Sequence, residues 1–310
     1  MNTTFIISGG AGRVACAIPA LEKYHRLNPN DDFKVLVHGW QQVLWSHPIL
    51  QHRTHEANQK GTFQHHLKDN YAIHPEPYTL NNFFNQRINL IEAFDELINN
   101  TNDHSDLNKP KIYTSTFEKK QTSDILSNIR AENNNKKIVL FQPFGSSIRF
   151  VDQYPFDHTH RSLTPDQYVA ISHGIKDIAT IIYCSPKQFK PNDDGDNIPI
   201  NNWNPYFRIF PTMLEQCDYF IGCDSCGQHF AYGLDKPGTV IMGGSTDNFT
   251  YPNHFRVIRR EGFVPQYSPI RLSDGDIDFI ERANDGAMDF SQSDINDIIE
   301  IIRNDLTNNL

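Results

Sequence analysis

Short apolar runs bounded by glycine, proline and polar residues alternate along this chain with longer stretches whose apolar positions recur every three or four residues. Residues 3–8 form the first apolar run and pass into Gly9-Gly10-Ala11-Gly12. A helical pattern follows over 13–27, then a second strand over 33–37. Strand, glycine loop, helix, strand is how a parallel α/β sheet begins. Phe83, Phe84, Ile88, Ile91, Phe94, Leu97 and Ile98 share one face and predict a single amphipathic helix over 82–98. Residues 111–115 read as a strand and 124–131 as a short helix. The polar run from Glu132 to Lys137 has no apolar period and is the expected linker. Beyond it the rhythm restarts, with strands at 138–142, 179–184, 219–222 and 239–242. Thr164 and Pro165 are placed to cap and begin a helix reaching about residue 176. Residues 191–204 read as a loop, 212–216 as a helical turn and 227–234 as a helix. Ile295, Ile298, Ile299, Ile302 and Leu306 set a closing helix over 293–306.

With 310 residues, two domains are expected, 1–134 and 135–310, with the last helix free to pack back on the first domain. Doubly wound domains hold ligands at the carboxyl ends of their strands. The formal net charge of −9, from 28 Lys plus Arg against 37 Asp plus Glu, disfavours a nucleic-acid partner, because duplex binding relies on clustered positive charge. Arg256, Arg259 and Arg260 form the one small basic group noted, and read as a solvated face. Five widely spaced cysteines imply no disulfide framework. The formal C-x-x-C of Cys223 and Cys226 reads as two small residues ending a buried strand. No apolar run suggests a secretory leader or a membrane span, so a cytoplasmic protein is expected.

Two constellations carry candidate chemistry. In Ser8-Gly9-Gly10-Ala11-Gly12-Arg13, glycines between a strand and a helix let a ligand approach the backbone, and the helix start favours anions. The spacing fails the G-x-G-x-x-G dinucleotide pattern. In the second, an apolar strand ends at Asp224-Ser225-Cys226-Gly227-Gln228-His229, where a helix begins. Its first N–H groups and the Ser225 hydroxyl suit phosphate oxygens, while Asp224 can alternatively cap the helix. Seven histidines between 38 and 74 lack acidic or cysteine partners at ligand spacing and read as a solvated loop, as do Asp193, Asp194 and Asp196.

Residues 221–237 resemble the stretch of the ADP-heptose:lipopolysaccharide heptosyltransferases (glycosyltransferase family 9) that runs from a strand through Asp-Ser/Thr-Gly and a nearby His to a Lys-Pro turn, here Lys236-Pro237. The strand and turn that follow, Gly243-Gly244-Ser245 included, fit as well. Gly12-Arg13 with Pro19-Ala20-Leu21 resembles the family's Gly-Asp and Pro-Ala-Leu opening, and Pro143-Phe144-Gly145-Ser146-Ser147 its Pro-Gly-Ser loop. The resemblance implies a GT-B fold, two Rossmann-like doubly wound domains facing a cleft. It implies a sugar moved from a nucleotide-sugar donor to an unidentified carbohydrate or other acceptor, without metal or other cofactor. Carried over, Ser146, Ser147 and Arg161 would face the phosphates, and Asp224, Ser225, Cys226, Gly227 and His229 would line the diphosphate and sugar. Where the family has its acid, this chain has Arg13, which stays protonated and cannot act as a base near neutrality. His38, ending the second strand, is a candidate replacement. Alternatives are a sugar-nucleotide binder without turnover, or a glycosyltransferase acting on nucleic acid.

Overall fold

The computed structural model describes residues 2–151, 154–185, 198–201, 206–266 and 284–308. The chain divides into two compact units, Met1–Ser115 and Thr116–Leu310.

The first unit is built on a wholly parallel sheet of β1 (Thr3–Ile7), β2 (Lys34–Val37), β3 (Thr54–Glu56) and β4 (Tyr71–Ile73), in the order β3-β2-β1-β4. β1 and β2 are almost wholly buried, and Phe5, Ile7, Val35, Leu36 and Val37 form their apolar part, as strands covered on both faces require. Helix α1 (Ala11–Leu27) packs against α3 (Leu90–Asn99), burying Val14, Ile18 and Leu21 with Phe94 and Ile98. The single helix expected over 82–98 is two. A short α2 (Asn81–Phe84) ends at Asn85, Gln86 takes a left-handed φ of 59°, and Asn89 starts α3 with a capping box to Glu92. Phe83 and Ile88 keep helical spacing by coincidence of the apolar pattern; the local capping signal decides the break. Residues 111–115, read as a strand, have no regular structure. The histidine-rich stretch, read as loop, contributes β3 and β4.

In the second unit, α4 (Thr116–Glu132) is longer than the helix expected over 124–131 and packs on α6 (Ile209–Gln216), where Arg208 donates from Nε and Nη2 to the two Glu118 carboxylate oxygens. Compactness therefore divides the chain before this helix, upstream of the polar run at 132–137. The sheet joins β5 (Lys137–Gln142), β8 (Ala179–Ser185), β9 (Ile198–Asn201), β10 (Tyr219–Cys223), β11 (Gly238–Ile241) and β12 (Arg256–Ile258), all parallel, in the order β12-β11-β10-β5-β8-β9. A hairpin of β6 (Arg149–Val151) and β7 (Tyr154–Phe156) follows β5. α5 (Pro165–Ile175) starts with the expected Thr164 cap, in a box with Gln167. The last helix, α8 (Gln292–Asn308), packs on α5, where Arg303 grips Asp177 and the carbonyl of Gly174. It belongs to the second unit. Its Ile295, Ile298, Ile302 and Leu306 are buried, worth about 1.5–3 kcal/mol each. Most of the expected loop at 191–204, including Asp193, Asp194 and Asp196, lies outside the described residues; within it, 198–201 is β9. No helix among the described residues is long and apolar enough to cross a membrane.

Candidate functional site

In each sheet the chain leaves its first strand in one direction and later returns to the other side of it. The crevice at the carboxyl ends of the two strands flanking that reversal is where such sheets bind ligands. In the second unit the flanking strands are β5 and β10. The two loops singled out from the sequence leave these strands, Pro143–Ser147 after β5 and Asp224–Gly227 after β10.

Gln142, the last residue of β5, joins them. Its Oε1 accepts the Gly227 N–H at 3.0 Å, and its Nε2 donates to Ser225 Oγ at 3.2 Å. The start of α7 (Cys226–Gly233) is thus capped by a side chain from the neighbouring strand, while Ser225 at the N-cap makes no capping bond of its own. A Cβ on Gly227 would collide with Gln142 Oε1, so any other residue must displace the Gln142 side chain. Asp224 is buried and does not cap the helix. Its carboxylate accepts Gln228 Nε2 at 2.7 Å and the Ser245 hydroxyl, and stands 3.8 Å from Arg161.

Arg161 reaches Ser147 Oγ at 2.6 Å and Thr159 Oγ1 at 2.7 Å. Beside it, Asp157 accepts from Ser162 and Thr159. Burial works against the Asp157 carboxylate, but the Arg161 charge and these hydrogen bonds outweigh it and hold the group below its usual range. Ser162 Oγ accepts the Gly145 N–H at 2.9 Å, so residues 157–162 brace the loop after β5. Gly244 N–H donates to the His160 carbonyl at 2.8 Å, and a Cβ on Gly243 would strike that oxygen. Arg259 holds the far side of this turn through Asp247 and the Gly243 carbonyl. Arg260 binds the Gly286 carbonyl, and Arg256, exposed, stands 3.6 Å from Asp305, so each arginine of the basic group has a partner at the surface.

Ser146 is exposed, and Ser225 and Cys226 are half-buried. Burial pushes the Cys226 thiol up to about 11 and Cys223 well above its ordinary value, so both remain protonated thiols. His229 is buried on α7, its Nδ1 2.8 Å from the Tyr251 hydroxyl, and burial lowers its pKa to about 4. Among the described residues, no group of three His, Cys, Asp or Glu is arranged to hold a metal ion.

In the first unit the reversal lies between β1 and β4. Gly9, with φ of +94°, makes the turn, and Gly10 precedes α1 in extended conformation as its N-cap; Gly12 is in the helix. Arg13 folds back over Gly9, pairs with Glu76 at 2.9 Å and lies 4.7 Å from the Tyr78 ring centre. Its guanidinium is neutralised by a carboxylate from the chain after β4. His38 is exposed at the end of β2, its Nδ1 2.9 Å from Asn58 Nδ2. An amide nitrogen only donates, so Nδ1 is the accepting nitrogen of His38 and Nε2 carries the hydrogen. Gln142, Asp157, Ser162 and Glu76 also bond into these loops and were not singled out from the sequence. Each is a single polar residue whose role depends on a strand order no local pattern contains.

No protein-family model matches the chain, and no curated protein is similar to it in sequence. Solved structures are similar in shape. A family 9 glycosyl transferase from Veillonella parvula has a TM-score of 0.63 at 13% identity, over 97% of this chain and 96% of that one. The E. coli ADP-heptose lipopolysaccharide heptosyltransferase II gives 0.55 at 13%, over 98% and 100%. The E. coli heptosyltransferase WaaC with ADP-2-deoxy-2-fluoro heptose gives 0.55 at 12%, over 97% and 100%. What the chain shares with all three, along nearly its whole length, is their fold: two α/β domains on parallel sheets, of the GT-B kind.

Proposed function

We propose that this protein is a glycosyltransferase that takes a sugar from a nucleotide-sugar donor held by the second unit. The observation that carries the reading is the convergence of the Gly145–Ser147 and Asp224–Gly227 loops at the β5/β10 reversal, with Arg161 bonded to the first and 3.8 Å from Asp224 in the second. A donor diphosphate at this place would meet the Ser147 and Ser225 hydroxyls, the start of α7 and the Arg161 guanidinium. Arg161 and the helix dipole would stabilise the departing nucleoside diphosphate, so the transfer needs no metal. The likeness to structures named as heptosyltransferases, one named for ADP-heptose and one named with ADP-2-deoxy-2-fluoro heptose, makes ADP-heptose the first donor to try. Asp224 acts by fixing Ser245, Gln228 and Arg161 around the crevice, and buried His229 by holding α7 to Tyr251.

Calorimetry with ADP-, UDP-, GDP- and CMP-sugars tests the reading. One donor class is expected to bind the native protein, and Arg161→Ala to weaken it by about tenfold or more, the loss of one charge-assisted contact. Folded native protein that binds no donor would sink it. A second reading, a binder without turnover, is favoured by the Arg13–Glu76 pair, which takes both charged groups beside the glycine turn into one ion pair. It predicts donor affinity without release of nucleotide.

A further inference from the structure

Of the seven histidines between 38 and 74, two stack on each other in the first unit. His55 is the middle residue of β3, opposite Leu36 of β2, and β3 ends the sheet. His66 lies in a single π-helical turn, Phe63–Leu67, on the way to β4. The ring centres are 4.0 Å apart and the planes 23° from parallel. Both residues are half-buried. Each has one buried nitrogen, Nε2 of His55 and Nδ1 of His66, with no hydrogen-bond partner among the described residues. Rings stacked in this way hold their lone pairs in two nearly parallel planes, so one metal ion cannot bind both. The backbone of the turn is held at its far end, where the His66 carbonyl accepts the Thr4 hydroxyl at 2.6 Å and Asn70 Nδ2 at 3.0 Å. Phe63, Gln64 and His65 are exposed.

A neutral imidazole carries a hydrogen on one nitrogen only, so the buried one can stay bare. An imidazolium carries one on both. Charging either ring therefore places an unpaired N–H, with its charge, where no acceptor meets it. The charges that act on the rings are positive too: Lys34 of β2 on both, His66 on His55, and His65 on His66. Lys34 is paired with Asp32 at 2.9 Å, and the Glu56 carboxylate beside His55 in β3 is taken by the Gly39 N–H. Burial first, and then the positive neighbours, lower both imidazoles from their ordinary value. Opening the stack gives the buried nitrogens to water, so the opened form binds protons more readily and acid favours it. We infer that the stack is a proton-operated latch, which holds the 63–67 turn on β3 while both rings are neutral and releases it on acidification. The turn leads into β4, so its release loosens the connection between the two edge strands of the sheet.

The test follows the imidazole NMR signals and the amide hydrogen exchange of the native full chain from about pH 8 to about pH 5, the span in which histidine ordinarily changes charge. Exchange rates are taken relative to an unstructured peptide at each pH. Both stacked rings are expected to titrate at lower pH than His52, an exposed histidine. Amides of residues 54–67 should lose protection over the same span, while those of β1 and α1 keep theirs. His55→Phe leaves a ring that can stack and cannot charge. It should match the native protection at the alkaline end and keep more of it at the acid end; His52→Gln should follow the native protein throughout. Either stacked ring titrating with or above His52 overturns the inference. So does native protection of 54–67 that is the same at both ends, or a His55→Phe protein with the full native loss. The two native measurements decide the question even where His55→Phe does not fold.

Discussion

Gly227→Ala probes the joint between the two site loops. Gln142 is 1% exposed and Phe220 fully buried, so neither can swing into solvent to admit a methyl group. The new Cβ would collide with Gln142 Oε1 and stand 2.9 and 3.0 Å from two carbons of the Phe220 ring. If Gln142 yields, the buried Gly227 N–H loses its acceptor, at about 1–3 kcal/mol. Crowding of the ring adds about 1–3 kcal/mol. Alanine regains up to about 1 kcal/mol of helix propensity. A net loss near 3 kcal/mol corresponds to a fall of roughly 6–12 °C in the melting midpoint of a unit this size. The mechanism also fixes a coupling. Gln142→Ala removes the atom that the methyl strikes, so in that background Gly227→Ala should cost at least about 1 kcal/mol less than alone. Thermal melts and urea titrations of the four proteins complete the cycle. Additive losses, or a Gly227→Ala protein with a native midpoint, would refute the assignment of Gln142 as the cap of α7.

Two further outcomes follow from buried polar groups. His229 has its folded pKa lowered to about 4 by burial against an ordinary 6.5, so the unfolded chain binds the proton first. Stability is full above pH 6.5 and declines as pH falls toward 4, by roughly 3 kcal/mol in all, and His229→Gln should lose that part of the slope; parallel native and variant curves would contradict it. Lys23 is buried on α1 between Asp95 at 3.1 Å and Asp106 at 2.8 Å, and Asp95 is fully buried. Lys23→Met should therefore cost about 3–5 kcal/mol by stranding Asp95, and adding Asp95→Asn should restore much of it. A single variant within about 1 kcal/mol of native in urea titration would show that His104 and Asn99, which also bind Asp95, suffice without the lysine.

The parts of the fold that were legible are those where one physical signal dominates. The short, mostly apolar runs of β1, β5 and β10, the Thr164-Pro165 cap and the isoleucine spacing of α8 each lack a competing reading. Where two signals conflict, the longer-range one misleads. Apolar spacing favours one helix over 82–98, but Asn89 with Glu92 satisfies the first N–H groups of a new helix and ends the old one. β3 and β4 escape notice because they are three-residue edge strands: Thr54-His55-Glu56 has no apolar run, and Tyr71-Ala72-Ile73 is too short and too exposed to read as a core strand.

The two sites differ for the same reason. In the second unit, each loop of the site announces itself locally, with small residues after an apolar strand, and strand order only brings the two together. In the first unit, the glycine turn is equally visible, but what surrounds it comes from β4, and β4 is invisible in the sequence. Arg13 therefore looks like an unopposed cation standing where an acid is expected. The carboxylate that neutralises it is 63 residues away, and the imidazole beside Ser8 is 66 residues from its partner. His38 stood out in the sequence because its strand was legible, and His74 did not because its strand was not. A base chosen from sequence is drawn from the strands that can be seen. In the structure His38 Nδ1 meets Asn58 Nδ2 and His74 Nε2 meets Ser8 Oγ, contacts that depend on a strand order no local pattern contains.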